Sequence, residues 1–324
     1  MNKNLSIIGM GNAVLDIIIS CSENDLANLN LTKGQMKIVT KSHSEKSIEK
    51  MNVIKTTSGG SVANTIAGIG ILGGKSSFCG KVFDDDSGRK FIQNISDSGV
   101  DFLCRPAKTG PGTASCQVFV TKDGERTMQT FLGASVHLSE VDIEEKFFLN
   151  SSILFVEGYL WSSEKAREAI KKAIYFSKQK KILVAFSLSD SGLTKMYKND
   201  FINFIKNDVD LLIGNENEIK SLTEEITKEN ILQNLKEIVS KTIMTSGENG
   251  ATLFYNKEFE DFSATVNNNI IDSTGAGDMF AAGVLFKLNQ GKSFQKSINF
   301  GCETAARILS QYGARPDAET FSNF

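Results

Sequence analysis

The sequence predicts an α/β protein: a central, mostly parallel sheet with helices on both faces and a small added β-element. Three observations support this. After residue 150, short and nearly continuous apolar runs alternate with helical patterns, as in βαβ units whose strands are buried on both sides. Earlier, "TASCQVFVTKDGERTMQTFLG" (113–133) reads as a β-hairpin turning at Lys122-Asp123-Gly124, which a purely parallel core does not accommodate. The chain has 324 residues, 40% of them hydrophobic and 23% charged, enough for a sizeable core.

The elements follow in order. "LSIIGMGNAVLDIIIS" (5–20) reads as strand, break and strand, with the break between Gly9 and Asn12. "SVANTIAGIGILGG" (61–74) is small and apolar throughout and ends on a glycine pair, as a buried helix with a C-cap does. "SSFCGKVF" (76–83) is a strand, and "DDSGRKFIQNISDSG" (85–99) an amphipathic helix stopping at Gly99. Beyond the hairpin come the strand "SILFVEG", the helix "SEKAREAIKKAIYFSKQ", the strand "KILVAFSLS" and the helix "KNDFINFIKN". The strand "VDLLIGN", the helix "ENEIKSLTEE" and the strand "KTIMTSG" continue the rhythm. Strand-like "ATVNNNIID" then precedes two closing helices, 276–289 and 293–310. The hairpin and the strand near 12–20 form the added β-element, expected to act as a lid. Three prolines in the whole chain leave no obvious linker, and no internal repeat interrupts it.

Composition narrows the function. With 36 basic and 38 acidic residues the formal charge is −2, without runs of one sign, which argues against a nucleic-acid or membrane surface as the main partner. Gly9, Gly11, Asn12 and Asp16 interrupt the apolar N-terminus, so neither a signal peptide nor an 18-residue apolar span is expected. Five scattered cysteines without C-x-x-C spacing read as reduced thiols of a cytoplasmic protein. Two histidines, His43 and His137, are too few for an ordinary zinc site or a Ser-His-Asp triad.

Three phosphate-like motifs fail on context. "GMGNAV" (9–14) lacks a third glycine and runs into a strand. "GIGILG" (68–73) lies at the end of a helix, whereas the dinucleotide fingerprint opens one. "GGKS" (73–76) ends like a P-loop, but its first glycine would have to stand where Ile69 does. "DSTGAGD" (272–278) passes. Gly275-Ala276-Gly277 lets successive N–H groups converge at a helix start, where dipole and unpaired donors favour an anion. Asp278 then falls in the first turn, either as an ordinary N-terminal stabiliser or as the acceptor of a proton from an attacking hydroxyl.

"DSTGAGDMFAAG" resembles the C-terminal signature of the ribokinase-like (PfkB) carbohydrate kinases, and "GGSVANTIAGIGILGG" (59–74) resembles their N-terminal one. "GNENE" (214–218) and "TSGENGA" (245–251) extend the similarity over essentially the whole chain. The resemblance implies a single kinase domain over 1–324, with a β-lid inserted from roughly 12–20, 34–57 and 113–133. It implies that Asp278 is the general base and that the amides of Gly275, Ala276 and Gly277 form an anion hole for the transferring phosphoryl group. Asn215 and Glu218 match the family's N-x-x-E motif, which organises Mg²⁺ and its waters around ATP; helix capping is the plain alternative. Thr245, Ser246 and Gly247 fall where the family approaches the nucleotide. Asn12, Asp16, Gly59, Gly60 and Asn64 match its acceptor-binding residues, although Asp16 also suits an exposed edge strand. K⁺ bound by Asp272 and main chain near 313–315 is a further family feature, as is a homodimer formed through the lids.

For the acceptor, "GNAVLDI" resembles the start of adenosine kinases, and Ser61-Val62 stands where ribokinases carry Lys-Gly. "GERTMQTFLGAS" (124–135) and "EGYLW" (157–161) are similar to a bacterial adenosine kinase-like branch. Phe119, Phe131 and Leu132 are candidates to stack on a base. The expected activity is phosphorylation of a small molecule by Mg-ATP, with adenosine favoured and a furanose-like sugar second. A degenerate, non-catalytic nucleotide binder is the alternative from another class.

Overall fold

A computed structural model describes residues 5–49, 51–317 and 319–321. The chain enters a large sheet as β1 (Ser6–Met10) and leaves at once for a smaller one as β2 (Val14–Ser20). Helices α1 (Glu23–Asn28) and α2 (Lys41–Ile48) bracket β3 (Met36–Ile38), and β4 (Asn52–Gly59) leads back to α3 (Ser61–Ile71). Next come β5 (Ser76–Cys79), α4 (Asp86–Asp97) and β6 (Val100–Phe102), followed by the hairpin of β7 (Ala114–Val120) and β8 (Arg126–Phe131). The alternating half holds β9 (Ser151–Glu157), α5 (Glu164–Lys180), β10 (Leu183–Ser187), α6 (Ser191–Met196) and α7 (Lys198–Asp208). It continues through β11 (Leu211–Asn215), α8 (Glu216–Thr223), α9 (Lys228–Leu235) and β12 (Lys241–Thr245). An edge hairpin, β13 (Ala251–Tyr255) with β14 (Glu258–Phe262), precedes α10 (Ala276–Asn289) and α11 (Phe294–Ile308).

The large sheet has nine strands in the order β14-β13-β12-β11-β10-β9-β1-β5-β6, parallel from β12 to β6. Successive strand residues face opposite layers, so both layers need apolar partners. Ile8 and Leu154 pack with α5 and α7, whereas Ile7 and Ile153 pack with α3 and α10. Full burial of such side chains contributes roughly 1.5–3 kcal/mol each. The α/β expectation holds.

The small sheet has five strands in the order β3-β8-β7-β2-β4. Alternation again decides its faces. Ile19 and Phe119 pack with Leu26 and Leu31 beneath the lid's own helical segment. Asp16 is paired across the strands with Cys116, and Cys116 with Thr130, which places all three on the opposite face. Phe119 pairs with Ile19, and Phe131 with Ser115, so both aromatics lie on the face away from Asp16. Phe119 packs inside the lid, and neither ring stands on the Asp16 face as a stacking platform. The Asp16 face instead carries aliphatic and sulfur side chains: Val14, Cys116, Val118 and Met128.

Two other expectations change. Residues 264–272 form no strand: the Ile271 and Asp272 amides both donate to the Leu309 carbonyl, and Asn267 Nδ2 donates to the Ala306 carbonyl. The end of α11 therefore satisfies polar groups that a neighbouring strand would have taken. The run at 76–83 is a strand only to Cys79, after which Phe83 makes an isolated bridge to Ala107.

Candidate active site

The predicted site residues gather at the carboxyl ends of the parallel strands, where open α/β sheets bind ligands. Asn12 follows β1, Asn215 ends β11 and Thr245 ends β12. A cavity of about 160 Å³ lies there, lined among others by Ser61, Asn215, Glu218, Thr245, Gly277 and Asp278. Ser246 and Gly247 form the adjoining turn, closed by the Ser246 amide on the Gly250 carbonyl.

Gly275 caps α10 with φ +80°, and an added Cβ would lie 2.6 Å from Ala314 Cα, so both conformation and space call for glycine. At Gly277 a Cβ would meet nothing within 4 Å; here the missing side chain leaves the helix N-terminus open to the cavity. The amides of Gly277 and Asp278 begin the helix with no earlier turn to bond to, and the Ala276 amide makes only a long bond, 3.4 Å, to the Ser273 carbonyl, which suits an anion. Asp278 is the third residue of that turn. Its Oδ1 accepts from Ser61 Oγ at 2.7 Å and its Oδ2 from Asn64 Nδ2 at 2.9 Å. Burial raises its pKa, while Asn64, Ser61 and Arg315 pull it down.

The residues expected to bind the acceptor adjoin Asp278, Asn64 by a direct bond. An added Cβ on Gly59 would fall 2.1 Å from Asp16 Oδ2, and one on Gly60 2.3 Å from the Asn12 carbonyl. The signature glycines are thus small because Asp16 and Asn12 press against them. Burial raises the Asp16 pKa to about 7, with Arg315 opposing and Asp278 adding to the rise.

Three contributors escaped the sequence reading. Glu157, fully buried, accepts from the Asn12 amide at 2.7 Å and the Val62 amide at 3.0 Å, tying the loop after β1 to the start of α3. Its pKa rises to about 7, chiefly through burial. A carboxylate ending the apolar strand "SILFVE" was the available signal. Arg126, on the lid, pairs with Asp272 Oδ2 and donates to Thr274 Oγ1. Arg315, beyond α11, is buried beside Asp16 and Asp278. Local sequence announces neither arginine, because their partners lie 146 and more than 250 positions away.

Asn215 and Glu218 form a reciprocal capping box. The Glu218 amide donates to Asn215 Oδ1 at 2.9 Å, and the Asn215 amide to Glu218 Oε2 at 2.9 Å. The box also fixes the Glu218 carboxylate at the cavity, so capping and ion binding are compatible. Its pKa rises to about 7 through burial, opposed by the Asn215 amide and reinforced by Asp190 and Asp278. Among the described residues no three His, Cys, Asp or Glu side chains are grouped to hold a metal directly. An all-oxygen, anionic donor set around one or two carboxylates fits Mg²⁺, which keeps waters and takes phosphate oxygens. Asp272 is differently engaged: besides Arg126, it accepts from the Thr274 amide at 3.0 Å and the Gly313 amide at 2.7 Å.

Residues 27–320 match the pfkB family carbohydrate kinases. The chain belongs to this family. This kinase is 33% identical to the adenosine kinase from Sinorhizobium meliloti over 98% of each chain, with a TM-score of 0.91. It is 32% identical to a probable sugar kinase protein from Rhizobium etli CFN 42, over 99% of this chain and 98% of that one, also at 0.91. The 5-dehydro-2-deoxygluconokinase of Geobacillus thermodenitrificans is 25% identical over 280 residues, 82% of this chain and 83% of its own. The fold is therefore ribokinase-like, and the activity is that of a carbohydrate or nucleoside kinase using ATP.

Proposed function

We propose that this kinase transfers the γ-phosphoryl group of ATP to a hydroxyl of a nucleoside, with adenosine its preferred acceptor. The observation that carries the chemistry is Asp278, held by Ser61 and Asn64 at the cavity beside the open start of α10. Asp278 takes the acceptor's proton, and the amides of residues 275–277 stabilise charge on the transferring group. Asp16, Asn12 and Asn64 grip the acceptor, with Gly59 and Gly60 allowing the close approach. Asn215 and Glu218 would hold Mg²⁺ with its waters, and Thr245 to Gly247 would border the nucleotide. When bound, Mg²⁺ supplies positive charge at the phosphates. The five-stranded lid, roughly 12–20, 34–57 and 113–133 of a single kinase domain, excludes water from the acceptor.

Two observations support a nucleoside. Identity is higher to the adenosine kinase than to the gluconokinase. The aliphatic wall around Asp16 also offers a flat base apolar contact. A neutral sugar is the second reading, favoured by the Rhizobium etli relative. Potassium at Asp272 would have to displace Arg126 from that carboxylate. The lid edges expose Ile38 (61%) and Ile54 (61%), which supports a homodimer through the lids; its test is the mass in solution by sedimentation velocity. Five free cysteines, all buried, suit a cytoplasmic enzyme.

The deciding experiment is an ADP-release screen with Mg-ATP across nucleosides, neutral sugars and 5-dehydro-2-deoxygluconate. Adenosine-dependent release is expected. Release with sugars alone would reverse the acceptor assignment, and background release throughout would favour a non-catalytic nucleotide binder.

A further inference from the structure

Arg315 is held by main chain rather than by an acid. Its Nε donates to the Ser58 carbonyl at 3.0 Å and its Nη1 to the Ala63 carbonyl at 2.6 Å. Those carbonyls belong to β4 and α3, the strand and helix that also carry Gly59 and Asn64. The residue is only 8% exposed, yet Nη2 has no partner. Ser58 Oγ and Asn64 Oδ1, equally buried, lack partners too. Buried donors and acceptors are costly to leave unpaired, and here both kinds are orphaned where Arg315 bridges the end of β4 and the start of α3.

The charges around this guanidinium are unequal. Asp16 from β2 and Asp278 from α10 both act on it. Arg126 from β8 also acts on Asp16, but is itself paired with Asp272. Glu157 from β9 and Glu218 from α8 add further acids within reach of Asp278. One guanidinium thus stands by two carboxylates without pairing directly to either. It holds Ser58, next to the Gly59 that presses on Asp16, and Ala63, next to the Asn64 that bonds Asp278, which leaves no surplus positive charge for an anionic acceptor.

We propose that Arg315 makes the acceptor site selective for an uncharged polyol or nucleoside, as the shared counter-ion of Asp16 and Asp278 whose free Nη2 donates to an acceptor hydroxyl oxygen. Asn64 Oδ1, unpaired on the same wall, accepts from a hydroxyl in turn. The inference rests on the phosphoryl-transfer reading of the site and adds the charge class of its substrate.

The test compares wild type, Arg315→Gln and Arg315→Lys in ADP release with adenosine, ribose and gluconate, with thermal unfolding as the check on folding. Wild type is expected to use the neutral compounds and to leave gluconate at background. Arg315→Gln is expected to raise the acceptor KM by roughly tenfold or more, with the ATP KM within about threefold, as loss of a charge-assisted hydrogen bond predicts. The acid limb of its kcat/KM should also move to higher pH. Arg315→Lys should restore the acid limb but not the KM, since an ammonium carries the charge without the planar geometry. An unchanged acceptor KM with an unmoved acid limb, or efficient use of gluconate, would overturn the proposal. If Arg315→Gln does not fold, the lysine variant gives the same KM test. Should no acceptor release ADP from wild type, phosphoryl transfer itself fails. Carboxyl NMR titration of Asp16 and Asp278 in wild type and Arg315→Gln then decides the counter-ion role, and unshifted titrations reject it.

Discussion

The side-chain amide of Asn64 donates to Asp278 Oδ2 at 2.9 Å, joining residues 214 positions apart. With Ser61 on the other oxygen, it fixes the carboxylate between the first turns of α3 and α10. The two signature segments of the chain thus converge on one side chain, which supports the first prediction.

Asp278→Asn preserves shape and both neighbours but removes the proton acceptor. Turnover is expected to fall by roughly 10²–10⁴, the range for loss of a general base, with little change in melting temperature. Steady-state kinetics on the folded variant check this. Turnover within about threefold of wild type would remove Asp278 from the chemistry.

Glu218→Gln separates the two roles of the capping box. Glutamine can still close the box on Asn215, so the fold should lose about 1 kcal/mol or less. The charge is gone, however, and the Mg²⁺ concentration for half-maximal activity should rise. An unchanged Mg²⁺ titration would leave Glu218 as a helix cap alone.

The Arg126–Asp272 pair ties the lid to the turn ahead of α10, and the Asp272 side chain is only 6% exposed. Removing one partner strands a buried charge, so Arg126→Gln or Asp272→Asn alone should cost on the order of 3–5 kcal/mol. The double variant should cost less than the sum of the two. Denaturant unfolding of all four proteins measures the coupling, and strict additivity would show that the pair is not coupled.

Glu157 links pH to stability. Its folded pKa of about 7 exceeds the ordinary 4.5, so the folded state binds the extra proton between those values. Stability from this group is complete below about pH 4.5 and is lost as pH rises through about 7. Asp16 and Glu218, both also raised to about 7, act in the same direction. The melting temperature should therefore decline from pH 5 to pH 8.5, and Glu157→Gln should flatten the slope. Thermal unfolding across that range is the check, and equal slopes for the two proteins would exclude Glu157 as a source.

The local code determined a great deal. Strand and helix periods after residue 150 reproduce the parallel sheet, because both faces of each strand are buried and each helix has one apolar face. The turn "DSTGAGD" announced an open helix start through glycines whose conformational freedom is local. It also put Asp278 in the first turn by simple counting. "GNENE" contained a capping box, since its partners stand three residues apart.

Tertiary structure decided what those pieces do together. Phe119 and Phe131 looked available for stacking, but the register of β7 against β2 and β8 turned them to the far face of the lid. Asp272 looked open to a cation until the lid brought Arg126 to it. Glu157 and Arg315, which tie the loop after β1, the end of β4 and the start of α3 together, act through main-chain groups 95 to 257 positions away. Period, capping and turn chemistry are properties of neighbouring residues, so sequence alone determines them. The charge balance of a buried pocket depends on which distant side chains close over it, and only folding settles that.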